Sequence, residues 1–322
     1  MDRISNGLGG NRDVSDRTDD PAIGLASDHE ELLIQSARHL AIPPELLALG
    51  ELDVLYEAPS ETLWTFMRPK GRPSFTPPML GDFDSWQRLI GESFGPGRVP
   101  LKYLVLGSRA PGVFCFGGDL ELFEGLIRSG NRAGLAEYGY RCVEILHRNI
   151  NALDLPMLTI GLVQGQALGG GFEALLSFDY IIAERGATFG LPEVMFGLFP
   201  GMGAHAILSR KLGGAMADRV ILSNETYSAE QMYDMGIVQQ LAEPGQGVEA
   251  VREFIAKSGR RHAGLVGARR ASRRANEIPL AELRDIVDHW ADAALQLREQ
   301  DLKLMHRLAS AQAKLPRAAS AA

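Results

Sequence analysis

The chain has 322 residues, 45% hydrophobic and 23% charged, with a formal net charge of −7. That composition suits a globular body with a sizeable core and argues against binding of nucleic acid through bulk positive charge. No apolar run reaches the roughly 20 residues that span a bilayer, and the two cysteines, Cys115 and Cys142, are too few for a disulfide scaffold.

Residues 1–27 are polar, Gly-containing and acidic and read as a disordered tail. They lack the charged start and apolar stretch of a secretory signal, so the expected location is the cytoplasm. Residues 28–40 carry helical spacing at Leu32, Leu33, Ala37 and Leu40, stopped by Pro43-Pro44. Residues 53–56 and 62–67 read as two strands, 68–78 as a Pro- and Gly-rich loop, and 83–94 as a helix. Residues 103–108 read as a buried strand. Asp119 then caps a helix through Ile127, with Leu120, Phe123, Leu126 and Ile127 on one face, and a longer helix runs from about 132 to 150. Residues 157–163 form a nearly continuous apolar run, as in a strand covered on both faces. The alternation over 101–238 predicts right-handed crossover units. Beyond Ser228 the chain reads as mainly helical, with a long amphipathic stretch over 280–308. The expected organisation is a core over 28–245, a helical region over 246–314 and a flexible tail over 315–322. The pattern alone suits a doubly wound sheet as well as a coiled superhelix.

The most informative segment is Gly169-Gly170-Gly171, followed by an apolar stretch over 172–178 that reads as a helix with Glu173 in its first turn. Three glycines weaken regular structure by roughly 1 kcal/mol each, so the run makes sense where backbone N–H groups must approach a ligand closely. A glycine turn opening a helix offers free donors and a positive dipole end. Twenty residues later comes Glu193, in Gly190-Leu191-Pro192-Glu193-Val194, with a short buried strand over 179–183 between. Two carboxylates beside backbone donors suit proton transfer next to a carbonyl. Removing a proton alpha to a thioester builds charge on its oxygen, which preorganised N–H groups stabilise. One carboxylate takes that proton while the other handles a hydroxyl or water. Composition alone allows a blander account, a dipole-compensating Glu and a surface Glu in a Pro-Glu turn.

Gly165-x-Ala167-Leu168-Gly169-Gly170-Gly171-x-Glu173 and Phe189-Gly190-x-Pro192-Glu193 resemble the two signature stretches of the enoyl-CoA hydratase/isomerase (crotonase) family. The glutamate spacing matches the hydratases, Phe199-Pro200-Gly201-Met202-Gly203-Ala204 fits the turn that follows, and Phe114-Cys115-Phe116-Gly117-Gly118-Asp119-Leu120 sits where the family has its first oxyanion loop. The resemblance runs from about Leu101 to Leu241. It implies an α/β crotonase (ClpP-like) fold, a superhelix of ββα units with a helical C-terminal region. It further implies Glu173 and Glu193 as the acid/base pair, the N–H groups of Phe116 and Gly170 as oxyanion donors, and a homotrimer or dimer of trimers. A narrower resemblance covers nearly the whole chain after about Leu49, through Val163-Gln164-Gly165, Gly171-Phe172-Glu173-Ala174, Tyr227-Ser228-Ala229-Glu230-Gln231 and Trp290 with Gln296-Leu297. It is to the diffusible signal factor synthase branch. Members of that branch dehydrate a 3-hydroxyacyl thioester on acyl carrier protein and hydrolyse it to a cis-2-unsaturated fatty acid, a quorum-sensing signal. The chain departs from ordinary hydratases in carrying Cys115 and Phe116 where they have small alanines, and in lacking their compact Asn-Ala-Leu turn near 68–78.

Within the resemblance, Leu168, Met202, Trp290, Met305 and Leu308 are candidates for a fatty-acyl pocket; ordinary helix packing is the competing account of each. Arg269, Arg270, Arg273 and Arg274 cap a basic window that begins at Arg252. It reads either as a solvated helix surface or as a dock for a CoA or phosphopantetheine phosphate or an acidic carrier protein. The expected partner is thus a carrier-protein or CoA thioester, with neither nucleic acid nor membrane. No cofactor or metal is expected, since the histidines are scattered and the cysteines lack ligand spacing. Cys115, His147 and His205 read as structural. Two alternatives to the synthase remain: an enoyl-CoA hydratase of fatty-acid breakdown, and a regulatory protein held by the receiver domain of a sensor kinase.

Overall fold

The computed structural model describes residues 40–312. The expected tails over 1–27 and 315–322, and nearly all of the helix expected over 28–40, lie outside the described residues. Strands β1 (Leu52–Glu57) and β2 (Thr62–Met67) form an antiparallel hairpin. Helix α1 (Pro77–Ser93) starts six residues before the expected position 83. The side chain of Thr76 accepts the N–H of Met79 and Pro77 takes the first helical position, so the prolines read as loop in fact open the helix. There follow β3 (Tyr103–Ser108), β4 (Val113–Cys115), α2 (Leu120–Arg128) and α3 (Arg132–Ile150). Asp119 and Asn131 cap the two helices. Next come β5 (Leu158–Val163), β6 (Gln166–Leu168), α4 (Gly170–Leu175), β7 (Tyr180–Glu184) and β8 (Thr188–Gly190). The chain continues through α5 (Ala204–Leu212), α6 (Gly214–Leu222), β9 (Thr226–Ser228), α7 (Ala229–Asp234) and β10 (Gln240–Ala242).

The strands divide between two sheets. One has the order β1-β2-β3-β5-β7-β10 and is parallel beyond the first hairpin; the other has the order β4-β6-β8-β9. Each successive pair (β3 and β4, β5 and β6, β7 and β8) sends its first strand to the large sheet and its second to the small one. This is a repeated ββα turn rather than a doubly wound sheet, and it is the crotonase superhelix. Strands β3 and β5 are buried along their whole length, which accounts for their unbroken apolar sequence.

The helical C-terminal region comprises α8 (Gly247–Ser258), α9 (His262–Ala275), α10 (Leu280–Ala294) and α11 (Glu299–Gln312). Val251, Ile255 and Val266 cover the outer face of the large sheet against Trp64, Val105 and Ile160. Helix α10 packs on α3 and α11 on α2. The stretch expected as one helix over 280–308 is therefore two. It breaks at 295–298, where the N–H groups of Gln296 and Leu297 close tight turns on Ala293 and Ala294 and the Arg298 N–H donates to Asp301. The break lets the second helix swing across the first superhelical turns and close the site from above.

Candidate active site

The three glycines are required for three different reasons. Gly169 has φ +53, and a Cβ there would stand 2.6 Å from Oε1 of Glu193. A Cβ on Gly171 would strike the carbonyl of Cys115, where α4 crosses the end of β4. A Cβ on Gly170 would stand 2.6 Å from Sδ of Met202 and 3.5 Å from the backbone N of Gly118. Gly170 thus faces the first loop across a gap in which an added methyl would sit.

Helix α4 carries Glu173 into this gap. Its side chain is 1% exposed, and Oε1 accepts the N–H of Met202 at 2.8 Å and of Ala204 at 3.0 Å. Both donors come from the Gly201-Met202-Gly203 turn that opens α5. Burial raises the Glu173 carboxyl from its ordinary 4.5 to about 7, with the two N–H bonds holding it down in part. Glu193 opens a single 3-10 turn (Glu193–Phe196). It is half-buried as a residue, while Oε2 is buried and has no partner among the described residues. Burial, and after it the charge of Glu173, pushes Glu193 well above the usual carboxylate range. Both glutamates therefore hold a proton more tightly than ordinary carboxyls, and the charge better provided with hydrogen-bond donors is that of Glu173.

The first loop corrects one expectation. The Phe116 N–H is already committed: it donates to the carbonyl of Pro73 at 2.7 Å, while Phe75 N–H donates back to Gly117 at 2.7 Å. It is therefore not free to hold an oxyanion. Among the described residues the N–H groups of Gly118 and Gly170 have no acceptor, and these two face each other. Gly117 has φ +86, and a side chain on it would strike the Gly170 N–H. No cue in the sequence marks Gly118, because the pairing that occupies the Phe116 N–H is made with a segment some forty residues away. Tyr138 braces the loop, donating to the Phe75 carbonyl at 2.5 Å and accepting from Asp119 N–H at 3.3 Å, and Arg72 pairs with Asp119 at 2.8 Å.

The glutamates and Gly170 open on a pocket of about 140 Å³. Leu168, Met202, Trp290 and Leu308 line it, together with Phe123 and Phe196, which sequence reading missed. Trp290 seals the roof: its ring lies 5.0 Å from that of Phe123, and a Cβ on Gly201 would stand 2.6 Å from it. Met305 is the exception among the expected acyl-pocket residues. It is fully buried in the core and does not reach the wall, although it lies one turn before Leu308 on the same face of α11.

A family model described as Enoyl-CoA hydratase/isomerase matches residues 99–266. The chain belongs to this family. Among curated relatives it is 31% identical over 195 residues to the short-chain-enoyl-CoA hydratase of Clostridium acetobutylicum, covering 60% of this chain and 69% of that protein. It is 32% identical over 136 residues to the 2,3-dehydroadipyl-CoA hydratase of Escherichia coli, covering 42% and 52%. Several of the curated relatives are thus spanned over only about half their length or less. Among solved structures, a putative enoyl-CoA hydratase from Streptomyces avermitilis superposes with a TM-score of 0.66 at 22% identity, over 85% of this chain and 94% of that one. Pseudomonas aeruginosa DspI superposes with a TM-score of 0.59 at 24% identity, over 70% and 88%. Both are likenesses of fold.

In this hydratase/isomerase-family chain the basic window does not line the glutamate pocket. Arg273 is committed to Asp179, with contacts of 2.6 and 2.7 Å, and Arg269 lies over the Tyr180 ring at 4.3 Å. Arg274 pairs with Glu277. Arg270, Arg273 and Arg274 instead line a separate groove beside His147 and Asp154. Cys115 is buried, its thiol pushed up to about 12 by desolvation, and its Sγ accepts the Gly117 N–H. His205 packs on the Phe199 ring and is absent from the pocket wall. Among the described residues there is no cluster of three metal-ligating side chains, and no helix is long and apolar enough to cross a membrane.

Proposed function

We propose that the protein is a diffusible signal factor synthase that dehydrates a 3-hydroxyacyl thioester on acyl carrier protein and hydrolyses the product to a free cis-2-unsaturated acid. The observation that carries this reading is the meeting of two carboxyls that hold their protons tightly and two unengaged N–H groups on the wall of one apolar pocket. The thioester oxygen lies between the N–H groups of Gly118 and Gly170. The ionised carboxylate takes the alpha proton, charge builds on the oxygen, and the protonated carboxyl gives its proton to the 3-hydroxyl, which leaves as water. The pair has then exchanged roles. The newly freed carboxylate draws a proton from water as it attacks the thioester carbon. The tetrahedral oxyanion occupies the same cradle; its collapse breaks the carbon–sulfur bond, and the carboxyl that took the alpha proton gives it to the departing sulfur, which leaves as the thiol.

The names of the relatives favour a second reading, an enoyl-CoA hydratase of fatty-acid breakdown acting on CoA thioesters. A regulatory protein held by a kinase receiver domain is less well supported, because two buried carboxyls are costly to keep without chemistry to use them. The cradle gives a direct test. A Gly170→Val side chain would occupy the space between the two donors, so both steps should fail together, with neither enoyl thioester nor free acid formed. A variant that still hydrolyses thioester after losing dehydration would show that the steps use different sites.

A further inference from the structure

Beside the glutamate pocket lies a second, narrow cavity of about 40 Å³ that the reaction does not use. Its wall is almost wholly apolar, built from Phe75, Phe83 and Trp86 on the α1 side and Cys142, Ile145 and Leu146 on α3. Met202 is the side chain that lines both spaces. On α4, Glu173 faces the reaction pocket while Ala174, one residue on, faces the second cavity; on α3, Tyr138 and Gly139 line the first and Cys142 the second. The two cavities therefore adjoin along the same helices, and the flexible Met202 side chain belongs to the wall of both. At the far wall Gln87 and Asn149, 3% and 4% exposed, each commit an amide N–H (to the Ile145 carbonyl and to Ser177 Oγ) and leave their Oε1 and Oδ1 buried without a donor. Packed interiors leave few voids larger than a water, so an apolar space of this kind calls for an occupant.

We infer that this cavity is the distal part of the acyl site, that Met202 is the gate through which a long chain passes into it, and that the volume beyond Met202 sets the longest acyl group accepted. The inference deepens the proposed reaction and rests on it for the identity of the substrate. A chain that stops short of Met202 is indifferent to the second cavity. One that passes the gate gains about fourfold in affinity for each further methylene buried, about 0.8 kcal/mol, until it meets Gln87 and Asn149, where an apolar terminus would be set against two unpaired oxygens.

The test uses binding alone, so that it does not depend on turnover. Dissociation constants are measured for saturated fatty acids of eight to sixteen carbons with the wild type, Ile145→Phe and Met202→Leu. Ile145 lines the second cavity and not the glutamate pocket, and a ring there fills the space. The expected result is that Ile145→Phe binds the short acids as the wild type does, which also shows that it is folded, and loses at least about tenfold for the long ones. Met202→Leu, branched and stiffer, should weaken binding of the long acids only. A chain brominated at its terminus should quench Trp86 fluorescence in the wild type, with that quenching lost in Trp86→Phe. Equal affinities for wild type and Ile145→Phe at every length, or loss at every length alike, overturns the inference, as does terminal bromine that leaves Trp86 bright. If the length dependence appears but no free acid is ever released from a 3-hydroxyacyl thioester, the cavity assignment stands and the proposed reaction falls.

Discussion

Glu173 is fully buried and Glu193 half-buried with one carboxyl oxygen out of water, and their partners differ in one respect that matters. Glu173 accepts two N–H bonds, whereas the Oε2 of Glu193 accepts none among the described residues. The two N–H bonds favour the carboxylate form at Glu173 and burial favours the acid form at Glu193, and elimination of water requires one of each. Glu173→Gln or Glu193→Gln should lower turnover by at least about a hundredfold while leaving circular dichroism unchanged; substantial product from either purified variant would contradict the assignment. The same burial has a stability signature. A carboxyl whose folded pKa is raised binds its proton more tightly in the folded chain, so folding loses stability as pH rises from the ordinary value of 4.5 through about 7. Glu193→Gln removes one partner and the repulsion between the charges. Its melting temperature should exceed that of the wild type most at pH 8 and least near pH 5. A difference that stays constant across this range would mean that the carboxyls are solvated.

At the scale of elements, what the sequence told best was the part held by strict local geometry. The run Gly169-Gly170-Gly171 and the Glu173 turn were readable because each residue there answers to a steric limit that no other residue type meets. The oxyanion loop was readable only in outline. Phe116 was assigned a donor role by resemblance, and the assignment failed because strand-like pairing with residues 73–75 consumes its N–H. Such pairing joins segments some forty residues apart, and nothing in either segment alone announces it. The start of α1 was missed because Pro77-Pro78 read as a breaker, although proline at a helix start costs nothing when Thr76 caps it. Met305 and Leu308 were indistinguishable by hydrophobicity; only the orientation of α11 against the core separates them.

At the scale of the whole molecule, the division of strands between two sheets is what brings the oxyanion loop after β4, the glycine turn after β6 and the Glu193 turn after β8 to one edge of the small sheet. Local pattern could not choose between this and a doubly wound sheet, because both alternate strand and helix; the choice lies in which strands pair. The basic window shows the opposite problem. Its charge was plain in the sequence, but its residues do different things. Arg273 and Asp179 are 15% and 6% exposed, and Arg273→Ala should cost about 3 kcal/mol, as loss of one partner of a buried pair does. Arg270 is free of that duty, and Arg270→Glu should leave chemical denaturation unchanged. If the groove docks an acidic carrier protein, Arg270→Glu should raise the Michaelis constant for carrier-bound substrate, and less so at high salt. Destabilisation by the two substitutions alike would show that the window acts only as scaffold.

The central claim is that one pocket both removes water and frees the acid. The wild-type protein should be incubated with 3-hydroxyacyl carrier protein and the mixture resolved by mass spectrometry, with the geometry of any double bond assigned and free thiol titrated in parallel. The account predicts a free cis-2-unsaturated acid and an equal amount of carrier thiol. An enoyl thioester that accumulates with no thiol released would contradict it and leave the hydratase reading in its place.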